Sequence, residues 1–135
     1  MNIDMLEAGS KLDIRMAEMM GWTRTIEDDP ANVAFLDASQ SYYVISDWPI
    51  QTQRGTLFRP SRSEDSAGIV TDWLVAQGHM TVVYSDIEDG GPVYRCYIHV
   101  RGNGNFFSSW VDAIADTRPL AICRAALKAR ERWGG

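Results

Sequence analysis

The sequence predicts an α+β fold, a small antiparallel β-meander with helices packed on both sides (an α/β/α sandwich) in a single domain over residues 1–135. Three observations predict it. Apolar residues recur at helical spacing in three separate stretches, each bounded by capping residues and glycine. Between positions 79 and 114 three strand-like stretches follow one another. They are joined by the short, glycine-rich links "EDGGP" and "GNGN", which suit antiparallel neighbours, whereas a parallel crossover needs a dozen or more residues. With 45% hydrophobic and 23% charged residues, the chain has the apolar material for a core and too little charge bias for disorder.

The first helix is expected over 10–20. Leu12, Met16, Met19 and Met20 fall at i, i+4, i+7 and i+8, with Asp13, Arg15 and Glu18 assigned to other faces. Ser10 stands where an N-cap belongs, and Asp13 lies three residues on, as in a capping box. Gly21 can adopt the left-handed conformation that stops a helix, after which Trp22 folds back on the apolar stripe.

The stretch from about 23 to 62 reads as a variable, irregular connection. The segments "IEDDPAN" and "ASQS" mark turns around short extended pieces at 33–36 and 42–45, which make a small hairpin. "SDWPIQTQRGTLFRP" has breakers and no period, and reads as a surface crossing.

A second helix is expected over 64–77. Ser63 caps it, Glu64 and Asp65 place negative charge at its positive end, and Gly78 stops it. Ile69, Val70, Trp73 and Leu74 form its buried face. Strands follow at 79–87, 93–101 and 106–114. In the middle one Tyr94, Cys96, Ile98 and Val100 share a face, while Val93, Arg95, Tyr97, His99 and Arg101 share the other, an amphipathic surface expected to be partly wet. The last helix, over 118–131, starts from Asp116 or Thr117 as cap with Pro119 in its first turn, and turns Leu120, Cys123 and Leu127 inward. Arg124, Lys128 and Arg132 run along another side, read as solvated charge near the helix C-terminus.

Three of these motifs carry a resemblance: "LDIRMAEMMGW" at 12–22, "SED" at 63–65 before a Trp-containing helix, and "RPLAICRAALKA" at 118–129. Together they resemble the phage ABA sandwich domain family, whose members typically read L-D-x-x-V-A-E-x-V-M-G-W, then S-T-D before a helix, then A-P-L-A-I-C-R-A-A-L. The chain departs at Met16 and Met19, where the family often has Val, and in the long stretch from Thr23 to Arg59. The resemblance implies helices on both sides of a small antiparallel sheet, a phage origin and hence a place in the host bacterial cytoplasm. It brings no established catalytic residues.

Function classes are bounded by charge and by side-chain chemistry. A net charge of −5 argues against gripping a nucleic-acid backbone, and the loose group Arg54, Arg59 and Arg62 is diluted by Glu64 and Asp65. No run approaches the ~20 apolar residues that span a bilayer. Cys96 and Cys123 are too few for a disulfide framework or a cysteine zinc site, and read as small buried hydrophobes. His79 and His99 lie on adjacent strands but lack a third ligand. "RGNGN" at 101–105 joins two strands and opens no helix, so it is a hairpin loop and not a phosphate cradle, and "IEDDP" at 26–30 lacks calcium-loop spacing. The remaining feature is aromatic: Tyr42, Tyr43, Trp48 and Phe58, with Arg54 nearby, crowd the breaker-rich connection. They are either a satellite cluster pinning it or anchors for a partner.

The expectation is therefore a non-enzymatic accessory protein without metal or cofactor, a protein-binding module whose partner is a host or phage protein or a second copy. Inhibition of a host factor or of a bacterial immune system, as by an anti-CRISPR, is one form of it. The alternative is a module that sequesters a small anionic ligand such as a nucleotide.

Overall fold

The computed structural model describes residues 2–25, 32–46, 56–88, 90–100 and 109–133. A short 3-10 turn, Ile3–Met5, precedes helix α1, Ser10–Met19. The helix starts one residue earlier than the capping pattern implies, because Gly9 takes the N-cap with φ 152°, a backbone region open to glycine. Its end matches the expectation. Gly21 has φ 76°, and the Gly21 and Trp22 amides donate to the Glu18 and Ala17 carbonyls.

The region read as an irregular connection contains a four-stranded sheet, with β1 Thr23–Arg24, β2 Asn32–Leu36, β3 Tyr42–Ser46 and β4 Thr56–Leu57 in that order. The expected hairpin is its centre, β2 against β3 in antiparallel register. Asp37 shapes the turn by accepting hydrogen bonds from the Ser39 and Ser41 amides. Two strands of two residues each complete the sheet, β4 running parallel to β3. Strands that short carry no readable alternation.

Helix α2, Glu64–Ala76, ends in a glycine stop, with Gly78 at φ 92° and the His79 amide reaching back to the Leu74 carbonyl. The meander follows as predicted: β5 Met80–Glu88, β6 Gly91–Val100 and β7 Ser109–Ala115, all antiparallel. Helix α3, Arg118–Trp133, closes the chain, and its Leu120 amide donates to the Thr117 hydroxyl, so Thr117 is the cap.

The α+β sandwich of the sequence reading is present, with one difference in layering. The rows Thr81–Ile98–Val111 and Val83–Cys96–Ala113 share one face of the meander, and α3 packs on it with Leu120, Cys123 and Leu127 buried. Helix α2 meets the same face, since Thr81 and Val83 border a cleft with Gly68 and Val75. Among the described residues no helix covers the opposite face. Alanines 121, 125, 126 and 129 make α3 buried on several sides, and small side chains let α1, α2 and the sheet all approach it.

Candidate partner-binding face

Register determines what the uncovered face presents. Directly opposed residues point the same way, so Met80, His99 and Trp110 form one row, Val82, Tyr97 and Asp112 the next, and Tyr84, Arg95 and Ile114 the third. The aromatic rings run diagonally across these rows. Tyr84 stacks on Tyr97 at 5.7 Å and donates its hydroxyl to the Tyr97 oxygen at 3.3 Å. Tyr97 meets Trp110 edge-on at 6.4 Å, and His99 lies 4.9 Å from the same indole. The hydrogen bond to Tyr97 raises the Tyr84 pKa above its ordinary value.

This stripe is open to solvent. Trp110 is 52% exposed and Met80 58%, with Val82 and Tyr84 also exposed. Its described cation, Arg95, is held between Glu88 at 2.6 Å and Asp112 at 3.3 Å. Two carboxylates thus outnumber the one guanidinium they hold, and the face is apolar and aromatic with a charged polar margin. That composition is typical of the centre and rim of a protein interface.

The aromatics singled out in the connection have another place. Tyr43 stacks on Trp22 at 4.3 Å and meets Phe58 edge-on at 5.9 Å, while Phe58 lies 4.6 Å from Trp22. Phe58 is fully buried, so it is core and offers no surface. Burial, and then the Asp37 charge, raise the Tyr43 pKa. This cluster fastens the four-stranded sheet to the end of α1, and it is continuous with the main core, to which Phe58 belongs and against which Trp22 and Tyr43 pack. Tyr42 is half-buried at the start of β3. Trp48 and Arg54 lie outside the described residues, as do "IEDDP" and "RGNGN".

The sequence marks the Arg95, Tyr97 and His99 side of β6 as amphipathic, and the extension of that surface across β5 also has a signal. In "MTVVYSDIE" apolar residues occupy both parities, Val83 on one and Met80, Val82 and Tyr84 on the other. A strand apolar on both faces asks for cover on both faces.

The two cysteines are not poised to react. Cys96 and Cys123 are fully buried; burial pushes the Cys96 thiol up to about 12 and the Cys123 thiol well above its usual range. Neither thiol is a nucleophile near neutral pH. Among the described residues no three His, Cys, Asp or Glu side chains converge as metal ligands, and no helix is long and apolar enough to cross a membrane. Searches against protein-family models and curated proteins find no match to the chain.

Proposed function

We propose that the chain is a non-enzymatic protein-binding module whose contact surface is the open face of the meander. The observation that carries this reading is the continuous stripe Tyr84, Tyr97, His99 and Trp110, flanked by exposed Met80 and Val82, on a face that no helix among the described residues covers. Monomeric proteins rarely leave a contiguous apolar patch open unless something docks there. With the resemblance to small phage-encoded domains, the reading extends to an accessory protein that acts in the host cytoplasm by occupying a host or phage protein. Inhibition of a bacterial defence component is one such role.

The test is paired affinity capture from host lysate with the wild-type chain and with a Tyr97→Ser, Trp110→Ser double variant. Because both side chains are outward, the variant should melt within a few degrees of wild type and lose the specifically captured protein. Equal capture by both would reject this face as the contact surface.

A nucleotide-sequestering reading has one observation in its favour, a cleft of about 510 Å3 where Trp110 lies near Lys128 and Arg132. It is the weaker reading. Lys128 already binds the Asp112 carbonyl and Asp4, Arg132 binds the Ser109 hydroxyl, and Glu131 and Asp112 border the same cleft. A thermal-shift panel of nucleotides should be flat, and a large stabilisation by one of them would reverse the order.

A further inference from the structure

We propose a second docking site, distinct from the aromatic face: the groove between α2 and the edge strand β5 takes an extended, basic segment of a partner protein by strand addition. The two edges of the meander are treated differently. Along β7, Arg124 donates to the Ile114 carbonyl and Lys128 to the Asp112 carbonyl, so α3 side chains occupy the outward backbone groups. Along β5, no strand pairs on the outer side among the described residues. From Met80 to Ser85 this edge has no charge, proline or glycine, the devices that ordinarily discourage pairing.

What lies beneath that edge is shaped for side chains. Glu64, Gly68, Asp72 and Val75 recur at i, i+4, i+8 and i+11, one stripe of α2, and with Thr81 and Val83 they border a cleft of about 300 Å3. Gly68 leaves it open, since a Cβ built there meets nothing within 4 Å. The Thr81 hydroxyl oxygen is buried with no hydrogen-bond partner among the described residues, an unusual state for a polar group unless something else completes it.

Charge selects the occupant. Arg118 holds Glu64 at 3.5 Å, which leaves the carboxylate of exposed Asp72 as the groove's net charge, on a chain of net −5. A segment alternating basic and apolar residues fits both sides of an added strand. Its basic side chains drop toward Asp72, and its apolar ones continue the exposed row of Val82 and Tyr84.

The experiment titrates the isotope-labelled full chain with a blocked octapeptide of alternating Lys and Val, using a Glu–Val octapeptide as control, and reads amide shifts and hydrogen exchange. The Lys peptide should shift and protect the β5 amides, and the Glu peptide should not. Gly68→Leu should weaken binding about tenfold or more by filling the groove, while raising the melting midpoint because leucine favours a helix interior. Asp72→Lys should abolish binding of the Lys peptide. The proposal is overturned if neither peptide touches β5, if binding ignores Gly68→Leu, or if the shifts fall on Tyr97 and Trp110 instead. Sedimentation of a dimer that Gly68→Leu dissociates would give the groove to a second copy and overturn it equally.

Discussion

At the residue scale, Asp13 is where sequence pattern and structure part most clearly. Its spacing from Ser10 marks it as part of an exposed capping box, yet it is fully buried. Its carboxylate accepts hydrogen bonds from the Ser61 amide at 2.8 Å and hydroxyl at 2.6 Å, and from Arg62 at 2.8 Å. The partners lie 48 and 49 residues away, so no local pattern could reveal them. The pair ties α1 to the segment that launches α2. Removing the carboxylate leaves the Ser61 amide unpaired and the part-buried guanidinium without its counter-charge, with the Ser46 carbonyl still accepting from it, so Asp13→Ala should lower stability by about 3 kcal/mol in urea unfolding. A loss below about 0.5 kcal/mol, the usual size for a surface change, would mean the network contributes nothing net. His79 gives a second residue-scale expectation. Burial lowers its pKa below 6.5, a hydrogen bond to the His99 backbone opposing in part. The unfolded chain therefore binds the proton more tightly. Stability should be fully present above about pH 6.5 and fall as pH drops below it, until the folded pKa is passed. His79→Gln should flatten that fall in melts between about pH 7 and 5, and an unchanged slope would contradict the assignment.

At the element scale, the three helices and the meander were legible because each repeats its period over many residues. Leu12 and Met16, Val70 and Leu74, and Leu120, Cys123 and Leu127 are all buried where spacing puts them. The glycine stops at 21 and 78 were legible because only glycine occupies positive φ freely. The strands Thr23–Arg24 and Thr56–Leu57 were not, since two residues carry no alternation and their pairing is fixed by distant partners. The basic stripe of α3 is legible in the sequence, but its spacing suggests solvated charge where the structure has backbone contacts. Arg124 holds the Leu6 carbonyl through two nitrogens and the Ile114 carbonyl through a third, joining the N-terminal segment to β7. Arg124→Met keeps the aliphatic stem and removes these bonds, so it should cost about 2 kcal/mol. It should also free the β7 edge, raising light scattering on heating. A variant that melts and scatters like wild type would reduce the stripe to ordinary surface charge. Leu127→Asp is the harsher probe of the same helix. It places an uncompensated charge in a site that is 6% exposed, and circular dichroism should report an unfolded chain.

At the scale of the whole molecule, the open face follows from how one core serves two sheets. Phe35, Ile45 and Phe58 from the first sheet side belong to the same buried cluster as Cys96, Ile98 and Val111 from the meander. Helix α1 touches both β3 and α3, and α3 touches β6 and β7, so burial runs unbroken from one sheet through the helices to the other. Committing all three described α-helices to that interior leaves none among the described residues for the far side of the meander, where Tyr84, Tyr97 and Trp110 lie. A shared core also predicts shared unfolding. Tyr43→Ala deletes the stack on Trp22, on the four-stranded side, and should cost about 2 kcal/mol for a half-buried aromatic. If the chain opens as one unit, native-state hydrogen exchange should register that loss equally at β6 amides, which Tyr43 does not stack against, and at β3 amides beside it. A loss confined to β3 would mean that the first sheet opens alone, so that the meander and its aromatic face form an independently stable platform.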